Sequence, residues 1–167
     1  MRRLIKFLHT MGAIGLMGSL AALLVLAREA PPPASLAGYA LIRSVMAEIA
    51  SWIVFPSLIL TLVPGLLAIA VTRAFHDAGW AWAKAATGIL IFAGSLHALA
   101  PIQEEARLSA EALTGGLAAA TLAGVTDGEK GTIWVLLVVS TANVVLGVWR
   151  PRLMRSLKAP ARRPEAP

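Results

Sequence analysis

Four stretches of this chain carry no Asp, Glu, Lys or Arg, and each is long enough to cross a lipid bilayer. They comprise 21 residues between Lys6 and Arg28, 24 between Glu48 and Arg73, 19 between Lys84 and Glu104, and 19 between Lys130 and Arg150. At a rise of about 1.5 Å per helical residue these runs cover about 28–36 Å, against a hydrocarbon core of about 30 Å. Lipid offers the backbone no hydrogen-bond partner, so a spanning segment must satisfy its own N–H and C=O groups. Ala, Leu, Ile and Val dominate the runs without the period-two alternation of a β-barrel strand, so the segments are predicted to be helices.

The expected fold is therefore all-α: a four-transmembrane-helix bundle with spans at about 5–27, 49–72, 84–103 and 132–150. A single membrane domain covers 1–155, and residues 156–167 form a basic tail expected to be disordered. The outer loop 104–131 is expected to be partly helical. Its uncharged stretch 112–126, rich in Ala, Gly and Thr, is too short to span and predicts an extramembrane or interfacial helix. Composition agrees, with 57% hydrophobic and only 14% charged residues. Soluble domains hold about 25% charged residues.

Charge placement sets the expected orientation. With the N-terminus in the cytoplasm, inner segments hold Arg2, Arg3, Lys6, Arg73, Lys84 and the six basic residues from Arg150 to Arg163, eleven of the fifteen Lys and Arg. Seven of the nine acids fall outside. This obeys the positive-inside rule and puts both termini in the cytoplasm. The location implied is a bacterial inner (plasma) membrane, multi-pass. The formal charge of +6 then reflects topology, and no nucleic-acid partner is implied. The opening "MRRLIK", apolar run and "LAREA" also resemble a secretory signal peptide. Signal cores run to only about 7–15 apolar residues, so the segment is read as a retained span. "APPPAS" (30–35) then forms an external turn, and Pro151 ends the fourth span.

Helices in lipid associate through close packing of small residues. The first span offers the pairs Gly15–Ser19 and Gly18–Ala22, and the third offers Gly88, Ala93, Gly94 and Ala98. Pro56 and Pro64–Gly65 predict a kinked second span, and Asn143 is expected to face the bundle. Trp80, Trp82, Trp134 and Trp149 sit at span ends, as in an interfacial aromatic belt.

The chain lacks Cys, which excludes disulfides, thiolate metal sites and thioether-attached haem. It also lacks a Walker loop, GxSxG, HExxH and dinucleotide fingerprint, so hydrolase and nucleotide-driven readings have no support. An ionisable residue within a span is a functional candidate by default. His9 lies about 4–5 Å deeper than Lys6, with Gly12 and Ala13 at i+3 and i+4, a small face with room for a flat ligand. Its bland alternative is a hydrogen-bonded histidine at the interface. His97, beside Ala93 and Gly94, lies about 15 Å further across the membrane than His9. It is a poor partner for His9 in one haem and a candidate for a second site near Gln103 and Glu104, or simply a packed polar residue. Lys84 lies at the depth of His9 and could equally be a snorkelling anchor. His76 beside Asp77 reads as a solvated pair, and Glu48 as a helix-end charge or a proton or cation site.

The segment "IKFLHTMGAIGLMGSL" resembles the first helix of small HemJ-type membrane proteins and their DUF2269 and CopD-like relatives. "AGWAWAK" (78–84) resembles the HemJ pattern of Trp, three residues and Lys entering the third helix, and "NVVLGVWRPRL" (143–153) resembles the DUF2269 fourth-helix ending. Gly15–Leu16 stands where the HemJ helix has a Trp-Phe pair. HemJ proteins are protoporphyrinogen IX oxidases that bind b-type haem. The resemblance implies His9 as axial ligand of haem iron, Gly12 and Lys84 at the cofactor, and Lys84 as second ligand or catalytic proton acceptor. Electrons would pass to a quinone or a partner. Two further functions stay open: an accessory or scaffold subunit of a membrane complex, alone or as a homo-oligomer, and a small transport protein using the kinked second helix, Glu48 and Asn143.

Overall fold

A computed structural model describes residues 2–72 and 79–149. His76, Asp77 and the basic tail lie outside them. The described residues form helices α1 (Arg2–Glu29), α2 (Leu36–Ile49), α3 (Phe55–Val71), α4 (Gly79–Leu113) and α5 (Asp127–Trp149). A π-helical segment, Ala50–Val54, joins α2 to α3 without a break, so the described residues make four rods. All four are long and apolar enough to cross a membrane, the build of a multi-pass membrane protein.

Two rods exceed a bilayer. The α2–α3 rod runs 36 residues and α4 runs 35, each about 50 Å long against a core of about 30 Å. The charges Arg43, Glu48, Glu104 and Glu105 mark where each leaves the apolar zone, but they do not end the helix. The expected external loop after Pro33 is thus mostly helix, because backbone hydrogen bonding continues when a helix leaves lipid. The stretch 112–126 departs from expectation in the other direction. Helix α4 stops at Leu113, and the chain then turns, with one 3-10 turn at Ala119–Thr121. Gly115 and Gly124 take φ of 79° and 75°, a left-handed conformation that breaks helix and is open to glycine.

The core runs along the bundle axis through Leu16, Leu20, Leu23, Met46, Val54, Leu58, Ile91, Ile102 and Ile133. Helix α1 packs chiefly on α3, and α4 on both α2 and α5. Small residues set the α1–α3 spacing. A Cβ on Gly12 would lie 2.7 Å from the Leu60 and Thr61 backbone, and one on Gly15 would strike Ser57 Oγ. The pair Gly18–Ala22 is not part of this seam: both residues are exposed, and a Cβ on Gly18 would meet nothing within 4 Å. Small residues occur on two faces of α1, and only the face turned to α3 is used for close approach.

At the loop end of the bundle, beyond the lipid-length part of the rods, polar groups do the fastening. Arg43 makes a bidentate ion pair with Glu129, at 2.6 and 3.1 Å, with side chains 2% and 8% exposed. Its guanidinium also donates to the Tyr39 hydroxyl at 3.2 Å. That hydroxyl donates to Glu105 Oε1 at 2.7 Å, and the same oxygen accepts the Gly124 backbone N–H at 3.2 Å. Burial, then the bond to Glu105, pushes the Tyr39 phenol well above its ordinary range, so it stays a donor. One network thus joins α2, α4, α5 and the loop before α5. The sequence placed these charges outside the membrane without pairing them, because their partners are 66 and 86 residues apart.

Candidate functional site

Near the other end, where α1 begins and α5 finishes, the four rods enclose a cavity of about 200 Å³, open on one side. Helix α1 contributes Lys6 and His9, α3 contributes Thr61 and Gly65, α4 contributes Trp80, Lys84 and Gly88, and α5 contributes Asn143 and Gly147. Most other lining groups are apolar. A smaller void, also lined by His9, Thr61, Lys84 and Asn143, extends past it to Ser140. His9 and Lys84, which lie 75 positions apart in the sequence, therefore share both spaces.

His9 is held by its backbone surroundings. Its Nδ1 lies 2.6 Å from the Thr61 carbonyl oxygen. A carbonyl only accepts, so Nδ1 donates in this bond, and the neutral ring then carries its lone pair on Nε2. Pro64, inside α3, has no N–H for the helix ladder, so the carbonyl of Leu60, the residue before Thr61, loses its usual donor. The ring rests against Gly65, where a Cβ would approach Nδ1 and Cε1 to 3.3 Å. Of the Pro64–Gly65 pair, Gly65 is the member that meets the imidazole, and its lack of a side chain leaves room for the ring.

Lys84 does not simply extend along the helix surface. Its Nζ lies so close to α5 that a Cβ on Gly147 would come within 2.6 Å of it. Asn143 is buried, as its place within the span predicts, and its side-chain amide lies 3.2 Å from the Thr87 hydroxyl, which also lies 3.0 Å from the Ala83 and Lys84 carbonyl oxygens. The Asn143 amide, which has more than one hydrogen-bonding group, lines both spaces.

The other sequence candidates lie elsewhere. Gly12, expected beside a cofactor, lines neither space; it is buried against the α3 backbone and serves helix packing. His97 is exposed on α4 and lines neither space. Its neighbour Gly94 packs on Leu136 of α5 instead of leaving a hollow. Glu48 is exposed on α2 and lines neither space. The described residues contain no group of three or more His, Cys, Asp or Glu able to hold a metal ion. Thr61, Gly65 and Gly147 are site residues that sequence reasoning missed. The Pro64–Gly65 pair was the available signal for the first two, and nothing in the sequence marks Gly147.

Compared with family models, curated proteins and solved structures, the chain matches none.

The residues can be weighed against a b-type haem. A ligating histidine nearly always donates its second ring N–H to a carbonyl or carboxylate, the arrangement of His9 with Thr61. Gly65, Ala81, Ala85 and Gly88 give the wall a small-residue surface. The enclosed volume of about 200 Å³ lies below the ~300–1,000 Å³ of ordinary ligand pockets. The His9–Thr61 bond matches the donor arrangement of a ligating histidine, and the enclosed volume is smaller than such pockets usually have.

Proposed function

We propose that this is a bacterial inner-membrane protein, both termini cytoplasmic, that binds a b-type haem at the His9–Lys84 cavity and has a redox role of the protoporphyrinogen-oxidase or electron-transfer kind. The observation that carries the reading is the His9 Nδ1 bond to the Thr61 carbonyl, made on the wall of a cavity shared with an amine. His9 Nε2 would hold the iron. Thr61 fixes the ring's tautomer and tilt, and Gly65 keeps the ring's place free. Lys84 stands as second ligand or proton acceptor, and its position between α4 and α5 withdraws it from bulk water. A bound haem would supply one-electron exchange with a quinone or a partner subunit. The excess of basic residues at this end supports its cytoplasmic placement.

The test is spectroscopic. Full-length protein purified in a neutral detergent, from cells supplied with a haem precursor, is expected to show a Soret band and, on reduction, α and β bands. His9→Ala should lose them while remaining folded and monodisperse. Colourless wild-type protein, or a His9→Ala variant with full haem content, would overturn the reading. Colourless protein that copurifies with a larger complex would favour the accessory-subunit alternative.

A further inference from the structure

The hydrogen-bonding character of the cavity wall says more about its ligand than its size does. Lys6, Lys84 and the Asn143 amide line the space as donors, and all ionisable side chains among the described lining residues are basic. Thr61 hydroxyl, also in the lining, is spent as a donor to the Ser57 carbonyl at 2.7 Å. The rest of the wall is aliphatic, with Ile5, Leu58, Leu62 and Ile91 among its members. Basic residues at a membrane boundary are ordinary topology anchors when they reach outward to headgroups and water. The Lys84 amine instead lies against Gly147 of α5, in a gap that a single methyl group would fill. Charge in a span is costly and is tolerated where it meets a cavity or a partner.

We infer that the cavity takes an anionic amphiphile: a ligand with an apolar body lying between α3 and α4 and an acidic head group, carboxylate or phosphate, received by Lys84, Lys6 and the Asn143 amide. The inference rests on the cavity being a ligand site, as proposed above, and not on that ligand being haem. A lipid phosphate and a free carboxylic acid share the chemistry.

A brominated fatty acid tests it, because bromine quenches a nearby indole and Trp80 lines the cavity. The full chain is placed in zwitterionic lipid nanodiscs and titrated with dibromostearate, its methyl ester and a brominated phosphatidylglycerol, with Trp80→Phe identifying the cavity component. Saturable Trp80 quenching by the acid at one-tenth or less of the ester concentration supports the inference. The phosphatidylglycerol arm shows whether a lipid phosphate is taken in the same way. Lys84→Met should raise the acid midpoint at least tenfold and leave the ester unchanged, and Lys84→Arg should keep most of the preference. If Lys84→Met fails to fold, Gly147→Ala displaces the amine with a single methyl group and should weaken acid binding alike. Equal quenching by acid and ester, no Trp80 component, or an acid preference untouched by folded Lys84→Met or Gly147→Ala overturns the inference. A colourless protein that prefers the acid sinks the haem reading and keeps this one; a haem protein without acid preference does the reverse.

Discussion

The same substitution at two glycines of α1 should have opposite consequences. At Gly12 a Cβ would sit 2.7 Å from the Leu60 carbonyl carbon, the Thr61 nitrogen and Thr61 Oγ1. Two of these atoms are backbone and cannot swing aside. To bring the contacts from 2.7 Å to the 3.4 Å of ordinary packing, α1 and α3 must part by about 0.7 Å. The His9–Thr61 bond lies one turn away on the same helix pair. Stretched by a similar amount from 2.6 Å, it passes the about 3.2 Å limit of a good N–H···O bond. Overpacking of this kind costs about 1–3 kcal/mol, and weakening the bond adds up to about 1 kcal/mol. The better helix propensity of Ala returns at most about 1 kcal/mol. Gly12→Ala should thus be destabilised by about 1–3 kcal/mol, whereas Gly18→Ala, with nothing within 4 Å of its new methyl, should be neutral or gain up to about 1 kcal/mol. Thermal unfolding of detergent-solubilised protein, followed by loss of the monodisperse peak on size exclusion, compares the two directly. Equal behaviour of the two variants would refute the α1–α3 packing and with it the placement of His9 on Thr61.

The loop-end network gives a second expectation. Arg43→Ala leaves Glu129 buried and unpaired, so a loss of about 3–5 kcal/mol is expected in the same assay, and Glu129→Gln should recover part of it in the double variant. Exposed Arg107, which pairs with Glu104 and Glu111 on one helix, should by contrast tolerate Ala without a measurable shift in the same assay, because water screens these pairs. Ser95 and Ser140 bury hydroxyls that meet no partner among the described residues. Ser95→Ala should therefore be neutral or stabilising, while a loss of more than about 1 kcal/mol would show that the hydroxyl is bonded to a trapped water.

Some of this architecture follows from residue type in order along the chain. Four runs without charge decide four spanning helices, since no other backbone arrangement satisfies itself in lipid within one segment. Asn143 facing inward follows from the same solvent argument, and the equal depth of His9 and Lys84 follows from counting residues along two helices. Helix ends were less legible. Arg43, Glu48 and Glu104 stop a hydropathy count, yet α2 and α4 continue past them, because leaving lipid removes the need for apolar side chains and not the tendency to stay helical. The reading of 112–126 as helix failed at its glycines: Gly115 takes a positive φ just past the end of α4, and Gly124 takes one where the loop folds back on Glu105 and Pro33.

Lipid is a uniform solvent, so it selects for length and apolarity, and those are written locally in the sequence. Which way each helix turns its faces is decided only when the rods meet. Gly12 and Gly18 look alike in sequence and differ because one is against α3 and the other is not. The bond from His9 to Thr61, the amine of Lys84 lodged at Gly147, and Arg43 joined to Glu129 each depend on residues more than fifty positions apart being brought within a few ångströms. Rotation about a helix axis costs nothing in a hydropathy profile; steric fit between neighbouring helices fixes it, and with it the contents of the cavity.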